Sequence, residues 1–251
     1  MRHKLWRRLT WHRRAFRGCA SSSHKADEKF TRIDMADLST SDCYRLMISA
    51  VVPRPIGLLT TLDATGIVNC APFSYSSIVS HDPPIVCTSI SHRSTEHGIK
   101  KDTLVNIETT GEYVFNVVSS DFLQQANQCA GDYPAGTDEM LEAGLATLPS
   151  SHVQPPRVAQ SRVSLECTLF DTKPIANDAG KHSCTLVLGR VRAVHVRDDV
   201  IKRRTSSSGT EAVTVDLEGL EVVGRAGDIT YWPVGREDGG GGSLRMPRPK
   251  V

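Results

Sequence analysis

Between Pro53 and Val118, short runs of β-branched and aliphatic residues alternate with residues that end strands. PIGLLTTL (55–62) is followed by Asp63–Ala64–Thr65–Gly66, and IVNC (67–70) then resumes the apolar run. IVCTSI (85–90) starts just after Asp82–Pro83–Pro84, and EYVFNVV (112–118) just after Gly111. Runs this short, punctuated by Pro and Gly, favour strands over long helices. The 55–62 and 67–70 runs form a β-hairpin around the Asp–Gly turn. Pro53 and Pro55 force extended backbone ahead of it.

The remaining elements are fewer and weaker. Residues 42–52 read as a short helix or turn feeding a strand, and 71–84 as a loop. Asp102 or Thr103 caps a helix through about Thr110, stopped by Gly111. Residues 119–130 and 138–145 read as helices and 146–160 as loop. The longest strand candidates are 161–171 and 184–197, with DTKPIANDAGKH as the turn between them. Residues 202–210 are expected to be a mobile polar insertion, and a last short strand falls near Ile229–Trp232. Antiparallel strands with a few outer helices predict a mainly-β α+β barrel. No G-x-G-x-x-G follows a strand and no G-x-x-x-x-G-K-[ST] occurs, which argues against a Rossmann or P-loop nucleotide site. No run approaches the length of a membrane-spanning helix.

Charge divides the chain. Of 30 Lys+Arg and 28 Asp+Glu, eight basic residues and no acidic one fall in residues 1–26. The rest therefore carries 22 basic against 28 acidic residues, a net of −6. An acidic body argues against nucleic-acid binding by that body. The leader is Arg-rich and runs into serines, with Leu5, Leu9, His12 and Phe16 on one helical face. It reads as a mitochondrial transit peptide, with a basic tail on a cytoplasmic protein as the alternative. The expected organisation is leader 1–26, one domain over 30–235, and a disordered Gly-rich tail over 236–251. The seven cysteines contain no C-x-x-C pair and read as reduced thiols, with no structural zinc site. No metal site is expected from the histidines; His152, His182 and His195 read as surface or loop residues, whereas His81 and His97 lie in loops near the candidate site.

Two segments hold candidate chemistry. Thr88–Thr103 places hydroxyls beside Arg93, Lys100 and Lys101 at a predicted helix start, where a phosphate monoester would be held. An ordinary solvated loop is the alternative. Residues 60–77 set Asn69, Ser74 and Tyr75 beside Ala71, Pro72 and Phe73, a mix that suits a flat heterocycle or a plain surface hairpin.

Together the segments carry a series of short motifs: P-R-P-I (Pro53–Ile56), Gly66, N-x-A-P-F-S (Asn69–Ser74), D-P-P (Asp82–Pro84), K-D-T-x-x-N-I (Lys101–Ile107) and T-G-E-Y (Thr110–Tyr113). Asp138–Glu139, Gly144–Leu145, Pro149–Ser150, Pro155–Arg157 and Leu165–Cys167 follow in order, then Arg225 and Tyr231. Residues 42–235 thus resemble the flavin reductase-like, FMN-binding split-barrel family. The resemblance implies a six-stranded Greek-key split β-barrel with flanking helices, and a homodimer with FMN near the subunit interface. Thr60, Thr61, Asn69, Ala71 and Ser74 would line the isoalloxazine or ribityl chain. Ser89, Ser91, Arg93, Lys101 and Thr103 would hold ribityl hydroxyls and phosphate. Arg54 or a backbone N–H would face flavin N1–O2. The implied activity is hydride transfer from NADH or NADPH to flavin and on to an unnamed acceptor. A non-catalytic flavin-binding or electron-carrier protein on the same fold is the alternative.

Overall fold

The computed structural model describes residues 29–92, 100–205, 211–234 and 244–245. The expected leader and Arg93 lie outside these residues, as does most of the expected tail.

Helix α1 (Thr40–Ala50) starts at Ser39, whose hydroxyl accepts from the Asp42 N–H at 3.1 Å. Strands β1 (Gly57–Leu62) and β2 (Val68–Phe73) form the expected hairpin. Asp63 Oδ1 accepts the N–H groups of Thr65 and Ile67 at 2.8 and 2.9 Å, and Gly66 takes φ 87°. The segment expected as a loop then departs from that reading. Ser76–His81 is a strand, β3, paired with β4 (Pro84–Ser91). Only Ser76 of β3 is buried, so the segment has no apolar alternation to reveal it, and its order comes from the ladder with β4.

The other long strands are β5 (Glu112–Val117), β8 (Val163–Ala176) and β9 (His182–Val196). One antiparallel sheet runs β2-β1-β5-β8-β9-β4-β3, with β3 as a seventh strand beyond the six implied. Its two edge strands, β2 and β3, are consecutive in sequence. Phe73 ends one and Ser76 begins the other, and the Ser76 hydroxyl reaches the Phe73 carbonyl at 3.2 Å. Three residues span at most about 11 Å, so the sheet must roll until its edges nearly meet. The result is a barrel with a split between those edges.

Adjacent residues of β1 serve opposite cores, as strand alternation requires. Leu58 packs with Val118, Phe122, Met140 and Val158, whereas Leu59 packs with Phe73, Ile90, Leu104 and Tyr113. Helix α2 (Asp102–Thr110) lays Leu104 and Ile107 into the second core and ends at Gly111, φ 73°. Its N-cap is Lys101, one position ahead of the expected caps. The helix expected over 119–130 is a 3₁₀ turn (Ser120–Phe122) running into α3 (Leu123–Gln128). That over 138–145 shortens to α4 (Glu139–Glu142), capped by Asp138. Within 146–160, Thr147–Leu148 (β6) pairs with Arg157–Val158 (β7).

Strands β8 and β9 run through most of the expected turn, leaving only Asn177–Lys181 to reverse the chain. Beyond Thr168, β8 has lost its partner β5, so its outer edge is free and Pro174 costs no ladder bond there. The first four residues of the expected insertion are instead strand: β10 (Ile201–Thr205) pairs with β11 (Glu211–Val215), with 206–210 outside the described residues. Short helix α5 (Leu217–Leu220) leads to β12 (Val223–Arg225) and β13 (Thr230–Pro233), which overlaps the last strand expected near Ile229–Trp232. Within the expected tail, Leu244–Arg245 forms β14 on the free edge of β13.

Candidate functional site

Two adjoining cavities of about 370 and 640 Å³ open beside the split. Pro72, Phe73, Ser91, Lys101 and Ala130 line both, so they form one continuous cleft. Its volume lies in the range of small-molecule and cofactor sites. The smaller cavity combines an apolar shelf of Ile48, Ile56, Pro72 and Phe73 with Tyr44, Tyr75 and Tyr231. The larger is polar and is entered by the first turn of α2 at Lys101–Thr103.

Arg54 anchors the smaller cavity. Extended backbone after Pro53 bridges it to Arg225, and its side chain turns inward. Nη1 donates to the Ile48 and Val51 carbonyls at 2.6 and 2.9 Å, and Nη2 to the Ala226 carbonyl at 3.0 Å. Only 8% of the residue is exposed, and burial lowers its pKa from the ordinary arginine value. Nε is buried and has no hydrogen-bond partner. A buried cation whose Nε has no partner among the described residues, held by neutral carbonyls beside an apolar shelf, suits an anionic edge of a planar ligand. Opposite it, the Tyr231 hydroxyl donates to Asn127 Oδ1 at 2.8 Å, and the Arg225 guanidinium lies 4.4 Å from the Tyr231 ring centre.

A braced polar network forms the floor of the larger cavity. The Thr103 and Thr61 hydroxyls donate to Asn69 Oδ1 at 2.7 and 3.3 Å, and Asn106 Nδ2 donates to Thr61 Oγ1 at 3.0 Å. Asn69 Nδ2 and the Cys70 N–H both donate to the carboxylate of Glu139, each at 2.8 Å. Burial pushes the Glu139 carboxyl above its ordinary pKa despite these bonds. Lys101 Nζ lies 5.7 Å from the Phe73 ring centre, at the junction of the two cavities.

The structure thus gathers Arg54, Ser74, Ser89, Ser91 and Lys101 in one cavity, and Asn69, Ala71 and Thr103 with Ser91 and Lys101 in the other. Thr60 and Thr61 line neither. The Thr60 hydroxyl is spent on the Pro156 carbonyl at 2.5 Å, and that of Thr61 on the Asn69 network. His81 ends β3 and faces solvent, outside the cleft, and His97 lies outside the described residues. His195, expected at the surface, is half-buried in β9 and bonded through Nε2 to the buried Glu166. Tyr44, Asn127 and Glu139 escaped assignment as site residues. Glu139 sat inside a recognised motif, but nothing local to it shows that it braces Asn69.

A model of the "flavin reductase like domain" matches residues 48–208, more than half of the chain. The chain belongs to the flavin reductase-like family. BH2278 of Halalkalibacterium halodurans is 33% identical over 220 residues, covering 88% of this chain and 97% of that protein. YwrF of Bacillus subtilis is 37% identical over 163 residues, 65% of this chain and 78% of that one. Nitrilotriacetate monooxygenase component B from Bacillus cereus superposes with a TM-score of 0.74 at 26% identity, over 84% of this chain and 98% of its own. The 2-nitrobenzoate 2-nitroreductase NbaA of Pseudomonas fluorescens superposes with a TM-score of 0.69 at 25% identity, over 87% and 96%. The family binds flavin, and in this member the cleft beside the barrel split has the shelf and edge donors that a flavin needs.

Proposed function

We propose that the cleft holds FMN and that the protein is an oxidoreductase that takes hydride from NADH or NADPH and passes electrons to a second acceptor. The observation that carries this is Arg54: a buried guanidinium with an unpaired Nε beside an apolar shelf in a flavin-binding family. Two structural relatives, a monooxygenase component and a nitroreductase, support reductive chemistry. Bound FMN supplies the two-electron chemistry, and the chain supplies binding, orientation and electrostatics.

Arg54, fixed by its carbonyl cage, would supply positive charge to the N1–O2 edge of the bound ring. Pro72 and Phe73 give the ring an apolar rest and exclude water from one face. Ser89 and Ser91 offer hydroxyls to the ribityl chain, and Lys101 the charge for a phosphate. Thr103, its hydroxyl already donated to Asn69, contributes by holding the start of α2 against β2.

A second copy of the chain completes this reading. Tyr44 and Tyr75 at the cleft mouth are about half exposed, and β3 presents exposed Ile78 and Val79 on an edge strand. A homodimer would cover these residues and close the cleft. The basic leader directs the protein to mitochondria in this reading, and an intact Met1 on native protein would refute that part. Anaerobic titration of the FMN-reconstituted protein with NADH and with NADPH tests the activity. Bleaching of the flavin absorbance by one nicotinamide is the expected result. A yellow protein bleached by neither would be a carrier, and a protein that stays colourless with FMN would end the proposal.

A further inference from the structure

A separate groove of about 620 Å³ lies where the β10–β11 hairpin stands against the end of β9 and the β6–β7 pair. It is far from the flavin cleft. Ser91 in the cleft pairs with Cys184, and Val194 in the groove lies ten residues further along β9, roughly 33 Å of extended strand. Its apolar lining comes from Leu148, Val194, Val196, Val213 and Val215. Of these, Leu148, Val194 and Val213 are 41%, 53% and 52% exposed. Aliphatic side chains left this open on three separate elements mark a surface that gains by being covered.

The charge around this surface is one-sided. Arg157, Arg162, Arg197 and Arg203 line the groove, and Asp198 is the only carboxylate in the lining among the described residues. Two of the arginines are committed. Arg197 makes two bonds of 2.7 Å to Asp199, and Arg162 is held by Asp121 and Glu221, although its Nε is buried without a partner. The other two are available. Arg157 donates through Nε to the Pro149 carbonyl and has no carboxylate partner among the described residues. Arg203 meets Glu211 only at 3.7 Å, with both side chains more than half exposed, a pairing that contributes little.

We propose that this groove is a second binding site, for an amphipathic anion: an aromatic or aliphatic body on the valines, with a carboxylate, sulfonate or phosphate head between Arg157 and Arg203. The volume matches a ligand of that size, and planar guanidinium groups suit two-oxygen heads. The site is distinct from the proposed flavin cleft and does not depend on it.

Anilinonaphthalene sulfonate is a suitable probe, titrated by calorimetry into the full-length protein with excess FMN present to fill the cleft. The expected result is one probe per chain. Affinity should fall at least tenfold in the double variant Arg157→Gln/Arg203→Gln, and by a similar factor in Val213→Asp, with FMN binding and thermal midpoint unchanged. Absence of binding, or equal binding in wild type and both variants, would overturn the proposal. So would a double variant that sediments as a monomer where the wild type is a dimer, because the groove would then be a contact between copies.

Discussion

At the scale of single residues, close approach decides more than polarity. Gly189 in β9 has no Cβ because one would sit 1.8 Å from the Tyr113 hydroxyl, inside the barrel core. Gly189→Ala should destabilise the fold by about 1–3 kcal/mol, the usual penalty for overpacking. Tyr113→Phe in the same chain should recover only part of that loss, because the ring carbons Cζ and Cε1 would still lie 2.5 and 2.8 Å from the added methyl. Chemical denaturation of the single and the double variant beside the wild type measures both effects. Lys101 acts by charge. Lys101→Ala should weaken FMN by about 10- to 100-fold and riboflavin far less, because only FMN carries a phosphate. Equilibrium binding of the two flavins would show it, and equal weakening would place the phosphate elsewhere. Thr103→Ala should instead lower stability and weaken both flavins alike, since its hydroxyl braces Asn69.

At the scale of elements, Glu166 ties a loop to the sheet. Its side chain is wholly buried in β8 and accepts from the Ser151 and His152 N–H groups at 2.7 and 2.6 Å and from His195. Burial alone would raise its pKa, but these bonds outweigh burial and hold the carboxyl below the ordinary 4.5. A folded pKa below the unfolded one means that the stabilisation is complete above about pH 4.5 and is lost as pH falls through the lower, folded value. Glu166→Gln should therefore cost about 1.5–3 kcal/mol at neutral pH and flatten the acid limb of the stability curve. Thermal melts across that range would test it.

The same elements show why the sequence was legible in some places and opaque in others. The β1–β2 hairpin and the end of α2 could be read because Asp63, Gly66 and Gly111 carry local turn chemistry. Strand β3 and the last residues of β8 could not, because they are largely exposed and lack apolar alternation, and their order comes from the ladders with β4 and β9. The site follows the same division. Residues in the recognised motifs, such as Asn69, Ser74 and Lys101, do line the cleft. Thr60 and Thr61 do not, because both hydroxyls are spent inside the fold, on Pro156 and Asn69. Tyr44 and Asn127 reach the cleft only through tertiary packing that no local pattern records.

At the scale of the whole molecule, the edge strand β3 is the feature that calls for a partner. Exposed Ile78 and Val79 on an unpaired edge invite association, and a second copy would satisfy both the edge and the open cleft mouth. Ile78→Lys/Val79→Lys should convert a dimer to monomers in analytical ultracentrifugation and weaken FMN retention together. Loss of dimer with flavin binding intact would separate the interface from the site.

The link between Phe73 and Ser76 joins the two edges of the rolled sheet, and its two residues, Ser74 and Tyr75, also line the cleft. Closure and ligand seat therefore share a single covalent hinge-point. New chain termini should be tolerated at the Asn177–Lys181 reversal, where the backbone turns in solvent. Termini opened between Ser74 and Tyr75 should cost barrel and ligand at one stroke. A pair of circular permutants would show that the molecule is topologically asymmetric, open to rewiring at one end and closed to it at the other.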